Sequence, residues 1–326
     1  MIISKTPLRI SFFGGGSDIP EYYNIYGGAI LGFAINKYIY HTASRFPSEL
    51  FDYSVRISYS KVECVRNTSE ILHAPFREIL RIMNIHRDVE IHIASDLPSF
   101  SGLGSSSAFT VGLFNALHAF KGNRPKSKQL ADQAIHMERE VLHEAVGCQD
   151  QIFASYGGFR FIEFTKENEI KIQSVNISSQ RKKELFSSLM LFYTGITRSA
   201  QVVEANKIKN IEKISETLTK IKRQSYEAYD YLLGSGHINK FGCMLHQAWI
   251  EKKQLDPSVS NSTIDSMYQR AVSAGALGGK LLGAGGGGFL LLFVPIDKQI
   301  KVRDALEGFH EINFEVSNEG STIIHS

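Results

Sequence analysis

Three glycine-rich segments, far apart in the chain, constrain its fold and chemistry more than any other feature. The first, Pro7-Leu-Arg-Ile-Ser-Phe-Phe-Gly-Gly-Gly-Ser-Asp18, is an apolar run that ends in three glycines and a carboxylate. The second, Leu97-Pro-Ser-Phe-Ser-Gly-Leu-Gly-Ser-Ser-Ser-Ala108, leads directly into a helical pattern. The third, Lys280-Leu-Leu-Gly-Ala-Gly-Gly-Gly-Gly-Phe289, leads into a strand pattern. A Gly-Leu-Gly-Ser-Ser-Ser turn at a helix start leaves several backbone N–H groups unpaired and aimed at one spot. The helix dipole adds positive character there, and glycine lets a ligand come close. Such a turn suits a di- or triphosphate, although taken alone it is equally a serine-capped helix.

Two familiar phosphate motifs fail on the letters. Gly283 to Gly288 matches GxGxxG, but the apolar run Phe289–Val294 follows it where a dinucleotide site requires a helix. Gly279-Lys280 is followed by Leu281, so there is no Walker A loop. With 36 Lys+Arg against 33 Asp+Glu, the basic excess is small, and its densest stretch is Arg181-Lys182-Lys183. A nucleic-acid binder would show a concentrated patch, so nucleic acid is not expected as a partner. Cys64, Cys148 and Cys243 form no CxxC pair, and the eleven histidines form no HxH or HxxxH pair. Neither a disulfide framework nor an imidazole metal site is expected. The start MIISKTPLRI lacks a cleavable apolar segment, and the run Phe289–Ile296 is too short to span a bilayer. A soluble, cytoplasmic protein without a membrane partner is the expectation.

Apolar, β-branched runs predict strands over Ile2–Ile10, Ala29–Ile35, Tyr38–Ser44, Val55–Tyr59 and Val89–Ala94. Helical spacing predicts helices over Ser69–Met83, with Pro75 a weak point, and over Ser105–Phe120 and Lys128–Leu142. Strands return at Phe159–Phe164, Ile170–Val175 and Leu189–Tyr193. Helices follow over Ser199–Leu233, Ile238–Glu251 and Ser262–Ala274. The end reads as strand, glycine turn and strand over Leu281–Val294, a short helix Lys298–Glu307, and strands His310–Val316 and Thr322–Ile324. Interleaved strands and helices make an α+β protein. At 326 residues, two domains are expected, 1–182 and 183–326, divided near the polar stretch Ser178–Lys183.

In this order, the three clusters resemble the GHMP family of small-molecule kinases. The resemblance implies an N-terminal domain like the second domain of ribosomal protein S5, a ferredoxin-like C-terminal domain, and a site between them using ATP and Mg²⁺. Within the family, Leu8–Asp18, Glu138-Arg-Glu-Val-Leu142, Gly147-Cys-Gln-Asp-Gln151 and Tyr193-Thr-Gly-Ile-Thr-Arg-Ser199 look like the D-glycero-D-manno-heptose 7-phosphate kinases. Those enzymes phosphorylate the anomeric C1 hydroxyl of a sugar phosphate on the way to nucleotide-activated heptose. Galactokinase carries Glu-His before its sugar-binding aspartate, whereas Gly15 and Gly16 stand here.

The resemblance also assigns roles. Asp150 would orient or deprotonate the acceptor hydroxyl, and Arg9 would neutralise charge near the transferred phosphate. As ordinary structure, the same residues would be a helix N-terminal acid and a strand-end ion-pair partner. Pro98, Ser101, Gly102, Leu103, Gly104, Ser105, Ser106 and Ser107 would surround the nucleotide phosphates. Glu138 and Ser106 would hold the metal, with Ser105 and Ser107 left open as the second contact. Glu140 competes with Glu138, and side chains two apart on a helix point roughly opposite ways. Asp18, Gly15, Gly16, Thr197, Arg198, Gly285 and Gly286 would contact the sugar phosphate, Arg198 with Thr197 gripping its phosphate. Lys280 would reach phosphate or simply face water. A homodimer is left open. The competing readings are another anomeric sugar kinase, fucokinase-like, and a catalytically silent GHMP-fold protein that binds a sugar.

Overall fold

A computed structural model of the chain describes residues 1–99, 101–197, 206 and 208–326. The first half runs β1 (Ile2–Phe13), α1 (Pro20–Tyr26), β2 (Gly28–Arg45), β3 (Val55–Ser58), β4 (Val62–Val65), α2 (Ala74–Ile82) and β5 (Val89–Ser95). It continues through α3 (Ser105–Phe120), α4 (Ser127–His136), α5 (Gln149–Tyr156), β6 (Phe159–Phe164) and β7 (Ile170–Ser174). Beyond α6 (Ser179–Ser187) and β8 (Leu189–Tyr193), the described elements include α7 (Ile211–Leu233), α8 (Asn239–Lys253) and α9 (Ser262–Ser273). The chain closes with β9 (Gly278–Leu281), β10 (Phe289–Phe293), α10 (Gln299–Ala305) and β11 (Thr322–His325).

The large sheet has the order β11-β1-β2-β5-β3-β4, with β6 added to β2 and β7 to β6. The strands expected at Ala29–Ile35 and Tyr38–Ser44 are one strand, β2. Its break at Asn36-Lys37 is a bulge: Pro7 faces Tyr38, while the next residue, Leu8, faces Ile35. Pro75 falls at the start of α2, so the helix expected from Ser69 begins only at Ala74, after a 3₁₀ turn over Thr68–Glu70. The strand expected at His310–Val316 contributes only two isolated bridges, Glu311 with Phe192 and Val316 with Ile35.

The small sheet, β8-β10-β9, is buried on both faces. Along β10, Phe289, Leu291 and Phe293 join the large core shared with the first sheet, while Leu290 and Leu292 join a second core around Trp249, Ile264 and Met267. Strand alternation thus lets one five-residue run knit two cores together. The expected domain boundary at 182/183 falls inside α6. The polar stretch there is no linker, because Arg181 donates to the carbonyls of Leu232, Tyr231 and Gly236 at 2.7–2.8 Å, capping the end of α7. β11, expected in the second unit, pairs with β1 of the first sheet.

This topology brings the end of β1, the start of α3, the start of α5 and the β9–β10 turn to one place.

Candidate active site

β1 delivers Arg9 to the bottom of a cleft. Its backbone N–H donates to the Leu103 carbonyl at 3.0 Å, which ties the strand to the loop before α3. The guanidinium forks onto Asp150, Nε to Oδ1 at 2.8 Å and Nη2 to Oδ2 at 2.7 Å, and Nη1 donates to the Gly102 carbonyl. Two parallel charge-assisted bonds fix the aspartate far more tightly than one could. Asp150 stands in the first turn of α5, and the pair spans 141 residues of sequence.

Gly104 caps α3 in a left-handed conformation, φ +74°. A Cβ there would lie 3.2 Å from both Arg9 Cγ and Asp150 Oδ2, so the absent side chain leaves room for the ion pair. Beyond it, Ser105, Ser106 and Ser107 line the cleft with the open N-terminus of a sixteen-residue helix behind them. The second and third glycine clusters meet backbone to backbone. A Cβ on Gly283 would lie 2.5 Å from the Gly102 Cα, and one on Gly288 would lie 2.2 Å from the Ser101 carbonyl oxygen.

Asp18 is buried at the other end. Its Oδ1 accepts from the Gly16 N–H at 3.0 Å and its Oδ2 from the Gln149 N–H at 3.1 Å. Gly147 packs so close that a Cβ would fall 2.0 Å from Oδ2. The sequence Gly-Cys-Gln-Asp therefore clamps one carboxylate, Asp18, while presenting another, Asp150.

Glu138 is 1% exposed, whereas Glu140 lies on the surface. The helix α4 gives way to a π turn over Met137–Val141, and Glu138 sits in that turn. π turns insert a residue and re-aim the side chains around them. Glu138 Oε2 accepts from Ser107 Oγ at 2.8 Å and Gln151 Nε2 at 2.5 Å, while Oε1 is buried with no partner. Desolvation pushes this carboxyl up to about 7, outweighing its hydrogen bonds. An orphaned buried carboxylate oxygen beside a hydroxyl is a hard-oxygen set that fits Mg²⁺. Ser107 is the serine bonded to Glu138; the expected Ser106 lines the cleft one residue away.

The cleft gathers Arg9, Gly15, Gly16, Asp18, Gly102, Gly104, the three serines, Asp150 and Gly285 from the residues expected on sequence. Ser101 and Leu103 are instead buried beneath the loop, and Pro98 is exposed, none of the three among the lining residues. Gly286 is taken up by the turn before α9, donating to the Val259 carbonyl at 2.9 Å. Thr197 is exposed and away from the lining, and Arg198 lies outside the described residues. Lys280 does not face water: it is buried, donates to the Phe12 carbonyl at 2.8 Å and lines the cleft.

Sequence reasoning missed Lys252, whose Nζ donates to the Leu281 and Gly283 carbonyls at 2.6 Å each and so holds the third glycine loop in place. It also missed Ser11 and Gln149, which line the cleft with Ser11 Oγ and Gln149 Oε1 buried and unpartnered. Ser11 lies two residues from Arg9 on the same strand, and that period-2 spacing was a usable signal. Among the described residues no cluster of His, Cys, Asp and Glu could hold a metal by itself, and no helix is long and apolar enough to cross a membrane.

Comparison with known proteins bears on this geometry. The model of the GHMP kinases N terminal domain matches residues 69–158, and that of the GHMP kinases C terminal matches residues 231–311. The chain is 30% identical over 332 residues to a D-glycero-alpha-D-manno-heptose 7-phosphate kinase of Campylobacter jejuni, spanning 98% of this chain and 97% of that protein. It is 25% identical to a bifunctional fucokinase/GDP-fucose pyrophosphorylase of Arabidopsis thaliana, over 96% of this chain and 32% of that longer protein. A crystal structure described as a D-glycero-D-manno-heptose 1-phosphate kinase from Bacteriodes thetaiotaomicron superposes with a TM-score of 0.81 at 25% identity, covering all of both chains.

Proposed function

The chain belongs to the GHMP family of kinases, and on that footing we propose that it transfers the γ-phosphoryl group of ATP to the anomeric C1 hydroxyl of D-glycero-D-manno-heptose 7-phosphate. The coarser description is a phosphotransferase with a sugar hydroxyl as acceptor and ATP as donor. The single observation that carries the kinase reading is the forked Arg9–Asp150 pair at the open N-terminus of α3, in one cleft with the buried Asp18, and the similarity to the heptose 7-phosphate kinase supports the finer one.

Phosphoryl transfer asks for positioning and charge neutralisation more than for covalent chemistry. The N–H groups at the start of α3 take the nucleotide phosphates. Arg9 holds Asp150 in one orientation and puts a fixed positive charge beside the transferred group. Asp150 accepts a hydrogen bond from the C1 hydroxyl. As the C1 oxygen bonds to the γ-phosphorus, the bond from that phosphorus to the bridging oxygen of ADP breaks, and the hydroxyl proton passes to Asp150. Glu138 and Ser107 would hold Mg²⁺, which supplies charge neutralisation on the phosphates when bound. Asp18 takes sugar hydroxyls at the far end. The grip on the 7-phosphate is assigned from sequence to Thr197 and Arg198.

ADP release measured over a panel of hexoses, heptoses and their phosphates tests the reading, with ³¹P NMR of the product to locate the new phosphate. The heptose 7-phosphate should give the highest kcat/KM and a product phosphorylated at C1. Preference for free fucose would favour the fucokinase-like reading, toward which the similarity to the fucokinase points. No turnover on any sugar would leave a silent sugar-binding protein.

A further inference from the structure

We propose that Gln149 is a specificity-determining residue, its side-chain amide pairing with a hydroxyl of the acceptor sugar adjacent to those taken by Asp18. The inference rests on the sugar-kinase reading of the same cleft. Gln149 opens α5, directly before Asp150, and its backbone N–H donates to Asp18 Oδ2 at 3.1 Å. The residue is thus pinned between the carboxylate assigned to the sugar and the one assigned to the reacting hydroxyl. The residue is 9% exposed, and its side chain turns toward the first glycine cluster. The nearest atom to a Cβ built on Gly15 is Gln149 Nε2, at 3.9 Å.

Despite that burial, Gln149 Oε1 has no hydrogen-bond partner, a situation that costs stability and calls for an explanation. The other glutamine flanking Asp150 behaves differently. Gln151 lies outside the cleft lining and its Nε2 is committed to Glu138 at 2.5 Å. Of the two, only Gln149 lines the cleft. An amide both donates and accepts, and so does a hydroxyl, whereas a phosphate offers only acceptors and would leave Oε1 unmet. The chemistry to be recognised there is therefore the hydroxyl-bearing part of the sugar, not its phosphate.

The test is a double cycle of kcat/KM, wild type and Gln149→Met, against the preferred sugar and its monodeoxy analogues. Methionine keeps the length, removes the polar atoms and leaves the N–H that holds Asp18. For one deoxy analogue, wild type should lose about ten- to a hundredfold, the factor expected when a buried polar group loses its partner. Gln149→Met should lose a similar factor on the parent sugar, lose nothing further on that analogue, and keep the wild-type KM for ATP. Equal penalties for every analogue in both enzymes would overturn the proposal, as would a KM for ATP that rises in step with the loss. Should Gln149→Met fold poorly, Gln149→Leu, which likewise carries no polar side-chain atom, runs through the same cycle, and the same patterns of loss support or overturn the proposal. If wild type prefers a sugar other than the heptose phosphate, that substrate assignment fails while the cycle on the preferred sugar still decides Gln149. If no sugar is phosphorylated, both fall.

Discussion

Arg9 and Asp150 are joined by two parallel bonds of 2.8 and 2.7 Å across 141 residues of sequence, and the cleft is organised around that pair. Each side of it is set by a different element: β1 carries the guanidinium, α5 carries the carboxylate, and Gly104 at the head of α3 leaves the gap they fill.

If Asp150 orients the acceptor hydroxyl, Asp150→Asn should cut kcat by roughly a hundredfold or more, the scale of losing a positioned base. Asparagine can still accept one bond from Arg9, so nucleotide affinity measured by calorimetry should stay near wild type. Near-normal turnover would remove Asp150 from the mechanism.

Gly104→Ala tests the gap directly. The new methyl would stand 3.2 Å from Arg9 Cγ and Asp150 Oδ2 in a backbone conformation at φ +74° that alanine disfavours by about 1 kcal/mol. The fold should survive that cost. The ion pair must shift, and kcat should drop at least tenfold along with weaker nucleotide binding, since small misplacements of aligned groups are costly. Unchanged kcat and ATP affinity would show that the loop is only a helix cap.

How much of this was legible in the sequence depended on distance along the chain. Gly102–Ser107 and Gly147–Asp150 are contiguous, and their local pattern carried the turn, the helix start and the candidate carboxylate. The choice between Glu138 and Glu140 was set by burial and by a π turn whose i to i+5 bond, Leu142 N–H to the Met137 carbonyl at 2.9 Å, leaves no mark in helical periodicity. Gly285 and Gly286 of the third cluster read as substrate contacts, and Gly285 does line the cleft, but the sequence did not show that Gly283 and Gly288 are glycine because the second cluster's backbone lies against them. Lys252 sits in a helix with no motif around it, and its role exists only because two carbonyls of the β9–β10 turn fold over it. β11 is four residues long and finds β1 only in the folded chain.

Glu138→Gln should raise the Mg²⁺ concentration for half-maximal activity by at least about tenfold, as loss of a charged ligand demands. Stability should behave differently. Glu138 titrates near 7 in the folded chain against an ordinary 4.5, so the folded state holds the extra proton between those values, and ionisation lowers stability as pH rises through that window. The glutamine variant cannot ionise. In chelator at pH 8 it should therefore unfold at no lower urea concentration than wild type. A variant with normal Mg²⁺ dependence would place the metal elsewhere.

A second buried titratable group lies away from the cleft and gives the opposite pH dependence. His41, in β2, is fully buried against Gly112 of α3, where a Cβ would come within 2.6 Å of Nδ1, and neither ring nitrogen has a hydrogen-bond partner. Desolvation lowers its pKa to about 3 from 6.5, because a charged imidazolium there would lose its water with no hydrogen-bond partner to replace it. In the unfolded chain the ring takes its proton near 6.5, and in the folded chain only near 3. Between those values the unfolded state binds more protons, so stability falls as pH falls, by about 1.4 kcal/mol per unit from this one residue. His41→Met fills similar space with no titratable atom. Urea unfolding at pH 7, 6 and 5 should show a shallower decline in the variant by about that slope, on top of whatever other groups contribute to both proteins. Parallel declines in the two proteins would mean that the folded chain accommodates a charged His41 after all.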